Sequence, residues 1–282
     1  MPKTIGNPLS WTAGALGSAA GYATVVAARA GDTAPPKTRR LTLKDLRRAL
    51  VLGWQDLSAL RSDVLFACML YPLMGAVLLA LAAQGDFSHL VFPVLSGFAL
   101  VGPVAGLGLY ELSRRREAGQ EAGWATMFSV LQSPRFPRIV MLSLFNGVIF
   151  MVWLLLADAI HAATLGPERP ASLGVLLGQA VSTPEGWLMI VVGSGVGFLL
   201  AAAVLAVSVV SFPLLLDRDV SVPVAVTTSV RVARENPVVI AAWGAIVAGT
   251  LALGALPALV GLIVVLPVLG HATWHLYRAA VA

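Results

Sequence analysis

Long apolar runs alternate along this chain with short segments that are rich in arginine and lysine. A transmembrane helix needs about 20 apolar residues, and six runs reach that length. The runs cover residues 64–83, 90–110, 139–162, 187–216, 237–256 and 258–277. The last two meet at Leu256 and Pro257, and one helix of their joint length would overshoot a bilayer core roughly 30 Å thick. The junction therefore predicts a tight helical hairpin.

The segments between the runs have a helical pattern of their own. Before the first run, apolar side chains recur every three or four residues, at Leu43, Leu46, Leu50, Trp54 and Leu57. This spacing predicts an amphipathic helix with one apolar face. Thr42 and Asp45 have the spacing of a capping box, which marks the beginning of such a helix.

Comparable stripes precede two later runs. They lie at Trp124, Phe128 and Leu131 before the third run, and at Val222, Val226 and Val230 before the fifth. Asn236 and Pro237 then predict the end of the last surface helix. The pattern thus divides the chain into three similar units, each an amphipathic surface helix followed by a transmembrane hairpin.

Composition supports a membrane protein. Of the 282 residues, 58% are hydrophobic and only 12% are charged, and the mean hydropathy is +0.85. A water-soluble globular domain of this length does not reach such values. The predicted fold class is an all-α polytopic membrane protein with six transmembrane helices arranged as three hairpins.

The basic residues predict the orientation. If six segments cross the bilayer, all of the 19 lysines and arginines except Arg169 lie on one side. Cytoplasmic loops retain such residues in bacterial inner-membrane proteins, so we expect a multi-pass protein of that membrane with both termini in the cytoplasm. The net charge of +5 then indicates contact with anionic headgroups and not with nucleic acid.

The chain divides by composition into an N-terminal extension, residues 1–40, and a membrane domain, residues 41–282. The extension has no charged residue between Lys3 and Arg29, and Gly17 and Gly21 have the GxxxG spacing of helix contacts. Three interpretations stay open for residues 9–30. They lie in the membrane interface, pack against a partner helix, or form a seventh span.

Four stretches carry a resemblance to a known family. They read GLGLYELSRRR at 106–116, VVSFPLLLDRDV at 209–220, TSVRVARENP at 228–237 and LPVLGHATWHLYR at 266–278. From residue 41 to the C-terminus the chain resembles the uncharacterised bacterial integral-membrane family DUF2189. The resemblance implies a six-helix membrane protein without an assigned reaction. Some members carry names that mention cytochrome c oxidase, which implies association with such a complex.

Two histidines form the candidate metal site of the sequence. His271 and His275 are four residues apart on the sixth run, hence on one face of a helix, and this spacing can bind a metal ion. The alternative is an interfacial belt in which these histidines, Trp274 and Tyr277 contact neighbouring helices or lipid. His89 and His161 belong to the opposite side of the membrane, so a haem-copper catalytic centre is not expected.

Charged residues near the ends of the runs have local interpretations. Asp158 and His161 are three residues apart and form either a proton-handling pair or a solvated helix end. Glu111 is three and four residues from Arg114 and Arg115, which is typical of ion pairs at a helix end.

Other residues are expected to contact lipid or a partner. These candidates are Gly17, Gly21, Trp54, Arg114, Arg115, Arg116, Trp274 and Tyr277. Glycines of the fourth run, among them Gly193 and Gly195, are expected to bring that helix to the centre of the bundle. Cys68 is the single cysteine, so an intramolecular disulfide is excluded.

These features favour a non-catalytic subunit or scaffold that docks on a larger membrane complex, respiratory or otherwise energy-converting. We expect no enzymatic activity and no cofactor, and other integral membrane subunits as partners. A transporter or channel is the first alternative, although coupled transporters place polar groups near the midplane and Asn146 is the one candidate there. A metal-binding protein that uses His271 and His275 is the second.

Overall fold

The computed structural model describes residues 34–59, 69–82, 85–257 and 259–282. Gly17, Gly21 and Cys68 lie outside the described residues. Residues 9–30 do so as well, and the three interpretations of that segment stay open. The α-helices are α1 (Leu43–Ala59), α2 (Leu70–Ala82), α3 (Val91–Ala105), α4 (Leu107–Glu117), α5 (Trp124–Met127), α6 (Phe136–Thr164), α7 (Leu173–Ser182), α8 (Pro184–Ser208), α9 (Ser211–Asp217), α10 (Val222–Glu235), α11 (Pro237–Ala255) and α12 (Leu262–Ala280). Two 3₁₀ helices, Gly85–Leu90 and Phe128–Gln132, complete the architecture. The predicted all-α class is confirmed.

Among the described residues, three helical stretches are long and apolar enough to cross a membrane. They are Phe136–Thr164, Pro184–Asp217, which joins α8 and α9, and Pro237–Ala255. The second predicted run is divided at Gly106 between α3 and α4. Helix α12 has the required length, but its second half carries histidines and other polar residues that lower its hydropathy. The count of six spans therefore stays a prediction.

Helix α1 begins as the sequence predicts and packs along α12. The backbone N–H of Thr42 donates to Oδ2 of Asp45 at 2.8 Å, and the backbone N–H of Asp45 donates to Oγ1 of Thr42 at 3.3 Å. The capping box is thus confirmed, and it satisfies amide groups that the first helical turn leaves unpaired.

The prediction of the buried face of α1 is wrong in part, because the face that is buried is rotated about the helix axis from the predicted one. The buried residues are Leu46, Ala49, Gly53, Asp56 and Leu57, whereas Leu43 and Trp54 are more than half exposed. The reason is close packing, because a Cβ atom on Gly53 would lie 2.7 Å from the backbone nitrogen of Ala272. Small residues allow this approach, and Leu43, Val51 and Trp54 are left on the outer side of α1.

Charged and polar helix ends assemble at one end of the molecule, which we call the basic end. It comprises α1, the second half of α4, α9, α10, the beginning of α11 and the end of α12. The buried core there includes every residue of α9 from Ser211 to Leu216. Residues before α1 pair with the C-terminus, with an isolated antiparallel bridge between Thr38 and Val281.

Asn236 joins two helices and the N-terminal segment at this end. Helix α10 ends at Glu235 and α11 begins at Pro237, as the sequence predicts. The Asn236 side chain is buried; its Oδ1 accepts from the backbone N–H of Leu41 at 2.6 Å, and its Nδ2 donates to the carbonyl of Arg39 at 3.3 Å. The basic end is therefore held by contacts between distant segments.

The glycine-rich part of α8 does not form the centre of the bundle. Added Cβ atoms on Gly193 and Gly195 would meet nothing within 4 Å, apart from neighbours within the helix itself. Gly197 does approach a neighbour, the ring of Trp153 on α6. Gly193 and Gly195 therefore do not provide the close approach that we expected of them, although α8 packs against several other helices.

Candidate functional site

A buried carboxylate forms the centre of a polar site that joins three helices. Asp56 lies on the face of α1 that packs against α12 and is 7% exposed. Its Oδ2 accepts from the hydroxyl of Ser113 on α4 at 2.6 Å and from Nε2 of His275 on α12 at 2.8 Å. We call Asp56, Ser113, His271 and His275 the Asp56 cluster.

His271 completes the cluster through Ser113. Its Nδ1 lies 2.7 Å from the serine Oγ, and its side chain is fully buried. A serine hydroxyl has one proton, and in this arrangement the ionised carboxylate of Asp56 takes it. The imidazole must then donate from Nδ1, so that the cluster is a directed chain from His271 through Ser113 to Asp56.

The environment keeps Asp56 ionised. Burial alone raises the pKa of its carboxyl group, but hydrogen bonds from His275 and Ser113 and the nearby imidazoles outweigh burial and lower the pKa below its ordinary value. Nη1 of Arg116 adds positive charge 3.3 Å from Oδ1 and also donates to the carbonyl of Gln55 at 2.9 Å. Arg116 thus contacts α1, and the predicted contact of this residue with lipid or a partner stays a prediction.

A second set of polar contacts holds the end of α12. Nε1 of Trp274 donates to Glu117 at 3.0 Å, and the hydroxyl of Tyr277 donates to Asp217 at 2.7 Å. Arg278 lies within 4 Å of both carboxylates. Trp274 is 1% exposed and Tyr277 is fully buried, so the prediction that they contact lipid or a partner is corrected. Their polar atoms bind neighbouring helices of the same chain.

Arg114 and Arg115 also have partners within the chain. Both donate to the buried carboxylate of Glu111 at 2.7 to 2.8 Å. Burial raises the pKa of Glu111, and the hydrogen bonds and charges of the two arginines lower it further than burial raises it, so that the net shift is downward. The predicted helix-end ion pairs are confirmed. They engage the guanidinium groups of Arg114 and Arg115, which we expected to contact lipid or a partner.

The cluster does not resemble a metal site. Nε2 of His275 and Nδ1 of His271 already have hydrogen-bond partners in Asp56 and Ser113. Across the residues that the structure describes, no group of three or more His, Cys, Asp or Glu side chains is arranged to hold a metal ion. A metal at His271 and His275 stays a prediction, and this geometry does not strengthen it.

The hydrogen bonds of the Asp56 cluster suit a structural role. A nucleophilic serine needs a base that accepts its proton, but here Ser113 donates to Asp56 while His271 donates to Ser113. These residues do not line the largely apolar cavity between α3, α8 and α11. The cluster therefore connects α1, α4 and α12 across positions that are far apart in the sequence.

A smaller polar group lies at the opposite end of the molecule. Asp158 accepts from Arg169 at 2.5 Å and lies 2.9 Å from Nε2 of His89. His161 packs on the ring of His89, with centroids 5.0 Å apart. Asp158 therefore pairs with residues of two other segments, and not with His161 as its spacing suggested.

Asn146, the candidate midplane group, is bonded within the bundle. It is fully buried, and its Nδ2 donates to Oγ of Ser208 on α8 at 3.0 Å. The amide connects α6 to α8, so this contact gives no support to a transport pathway.

Sequence reasoning missed Asp56, Ser113 and Glu117. One signal was present, because Asp56 follows Leu46, Ala49 and Gly53 at helical spacing and thus lies on the face of small and apolar residues. A carboxylate on such a face requires a buried partner.

Residues 91–217 match the family model of DUF2189, which is described as a predicted integral membrane protein. The resemblance drawn from the sequence is confirmed over these residues. Together with the three membrane-length helices, the match identifies an integral membrane protein. The matched range includes Ser113 and Arg116, whereas Asp56, His271 and His275 lie outside it. No protein among those of curated function and no solved structure matches the chain.

Proposed function

We propose that this protein is a non-catalytic subunit or scaffold of the bacterial inner membrane that docks on a larger membrane complex through α1. The observation that carries the proposal is the two-sided character of that helix. Its inner face is fixed to α12 by the Asp56 cluster and by close packing at Gly53. Its outer face exposes Leu43, Val51 and Trp54 beside basic side chains.

This arrangement suits docking better than chemistry. Asp56, Glu111, Glu117 and Asp217 are all engaged in contacts between or along helices, so they contribute to a rigid support. Aromatic residues and arginines are enriched in the interfaces of proteins. An exposed tryptophan on a fixed helix fits that composition.

Co-purification tests the docking role. We expect the tagged full-length protein, extracted in a mild detergent, to retain a stoichiometric membrane-protein partner, and Trp54→Ser to reduce the retained partner at least fivefold. Trp187→Ser is the matched control, because Trp54 and Trp187 are both 55% exposed but lie at opposite ends of the molecule. Recovery of a monomer or homo-oligomer alone would contradict the proposal, as would equal losses from the two variants.

We also propose six spans with both termini in the cytoplasm. The segregation of basic residues supports this topology, as does the packing of α11 against α12 across the turn near Gly261. Cys68 is the only cysteine, so a Cys68→Ala background accepts single reporter cysteines.

The topology predicts opposite labelling of two exposed glutamate positions. In intact spheroplasts, a membrane-impermeant maleimide is expected to label Glu168→Cys and to label Glu121→Cys only after lysis. Both side chains are exposed, so access differs only through the membrane. Labelling of both positions before lysis would exclude the proposed arrangement.

A further inference from the structure

An apolar cavity of about 580 Å³ lies between α3, α4, α8, α11 and α12. This volume is within the range of about 300–1,000 Å³ that is typical of small-molecule sites. Hydroxyl groups of the lining have partners within the protein: Ser96 donates to the carbonyl of Pro93, Ser208 pairs with Asn146, and Thr273 donates to the carbonyl of Leu269. The lining therefore suits a hydrocarbon occupant.

The length of the cavity can be compared with the length of an extended acyl chain in one leaflet. Its lining on α11 extends from Pro237 to Leu251, a distance of about 21 Å at the helical rise of 1.5 Å per residue. The hydrocarbon thickness of one leaflet is about 15 Å, so the cavity is long enough for an extended chain. An extended acyl chain can therefore lie along the apolar lining for the depth of one leaflet.

The cavity reaches the basic end at Ala233 and Pro237. Arg231 and Arg234 flank Ala233 in the sequence, and Asn236 holds the backbone beside Arg39 and Arg40. The guanidinium groups of Arg39, Arg40, Arg231 and Arg234 have no hydrogen-bond or ion-pair partner among the described residues. Cationic side chains near the membrane surface attract anionic lipid headgroups.

We propose that this cavity binds one acyl chain of an anionic phospholipid, whose phosphate is held by arginines of the two segments that meet at Asn236. In this proposal the apolar lining contacts the acyl chain, and the four arginines contact the negatively charged headgroup. This site is independent of the docking face on α1, because α1 contributes no residue to the lining of the cavity.

Lipid binding by the purified full-length protein tests the headgroup. Native mass spectrometry with phosphatidylglycerol and phosphatidylethanolamine of identical chains is expected to show preferential retention of one phosphatidylglycerol. Each arginine near the surface contributes about fivefold to the affinity for an anionic lipid. Arg231→Gln with Arg234→Gln should therefore lower phosphatidylglycerol binding about 25-fold, whereas Lys44→Gln with Arg47→Gln on α1 should leave it unchanged.

Two adjacent alanines of α8 test the cavity. Ala202 lines it and Ala203 does not, and both side chains are exposed, so neither substitution disturbs a buried core. We expect Ala202→Phe to lower phosphatidylglycerol binding at least tenfold and Ala203→Phe to leave it within twofold.

Three results would overturn the proposal. The first is equal binding of the two lipids by the unaltered protein, and the second is unchanged lipid binding by Ala202→Phe. The third is that Ala202→Phe removes a second copy of the chain or a membrane-protein partner while lipid binding persists, since a helix would then occupy the cavity. Loss of the docking partner with Trp54→Ser bears on none of these results.

Discussion

Asp56→Ala is expected to lower the free energy of unfolding by about 3–5 kcal/mol, the cost of removing one member of a buried ionic group. The substitution leaves the hydroxyl of Ser113 and Nε2 of His275 without the acceptor that both now share. It also removes the carboxylate that orients His271 through Ser113. The measurement is the midpoint of thermal unfolding in one fixed detergent, followed by circular dichroism.

Asp45→Ala is the control for this experiment, since Asp45 is a partly exposed carboxylate on the same helix. Its hydrogen bonds to Thr42 cap α1, and loss of a cap costs typically about 1 kcal/mol. Asp56→Asn keeps one acceptor oxygen and should fall between the two alanine variants. Equal shifts for Asp45→Ala and Asp56→Ala would mean that the Asp56 cluster contributes no more than a helix cap.

Features that depend on residues three or four apart were predictable from the sequence. The capping box of Thr42 and Asp45 and the ion pairs of Glu111 with the following arginines are present as expected. Ser221 accepts from the backbone N–H of Val224 at the beginning of α10. These contacts form within one helical turn, so the sequence spacing alone determines them.

The partners of Asp56 were not predictable in the same way. Ser113 is 57 residues away in the chain and His275 is 219 residues away. The spacing of His271 and His275 placed both on one face of α12 correctly, but it gave no information about which helix that face contacts. The Asp56 cluster depends on the packing of three helices, which the hydrophobic pattern leaves open.

Trp274 and Tyr277 illustrate a further limit of sequence patterns. Aromatic side chains with one polar atom suit a membrane interface, and they suit equally a buried position where that atom has a partner. Glu117 and Asp217 provide those partners here. The residue types alone do not distinguish the two situations.

The distribution of charge connects the fold with both proposals. Acidic groups at the basic end are used in internal contacts, as at Asp56, Glu111 and Asp217. The exposed arginines around Asn236 take no part in these internal contacts. An excess of cations at a membrane-facing surface attracts anionic headgroups, and these arginines lie beside a cavity that is long enough for an extended acyl chain.

Gly53→Ala is expected to destabilise the protein by about 1–3 kcal/mol through overpacking, although alanine is favoured over glycine in helices by up to about 1 kcal/mol. A Cβ atom at this position would lie 2.7 Å from the nitrogen of Ala272 and 2.8 Å from the carbonyl oxygen of Val268. Both are backbone atoms of α12, so no side-chain rotation relieves the clash. Helix α1 must move away, and the hydrogen bond between Asp56 and His275 lengthens with it.

Gly147→Ala on α6 is the matched control, because an added Cβ there would meet nothing within 4 Å apart from the helix itself. The substitution then changes only the helix propensity, which is higher for alanine than for glycine. The midpoint of thermal unfolding should therefore rise or stay unchanged. Opposite signs for the same chemical change would attribute the loss at Gly53 to contact with α12. If both variants shift the midpoint alike, close packing of α1 on α12 does not stabilise the protein, and the rigid support proposed for the docking face loses its basis.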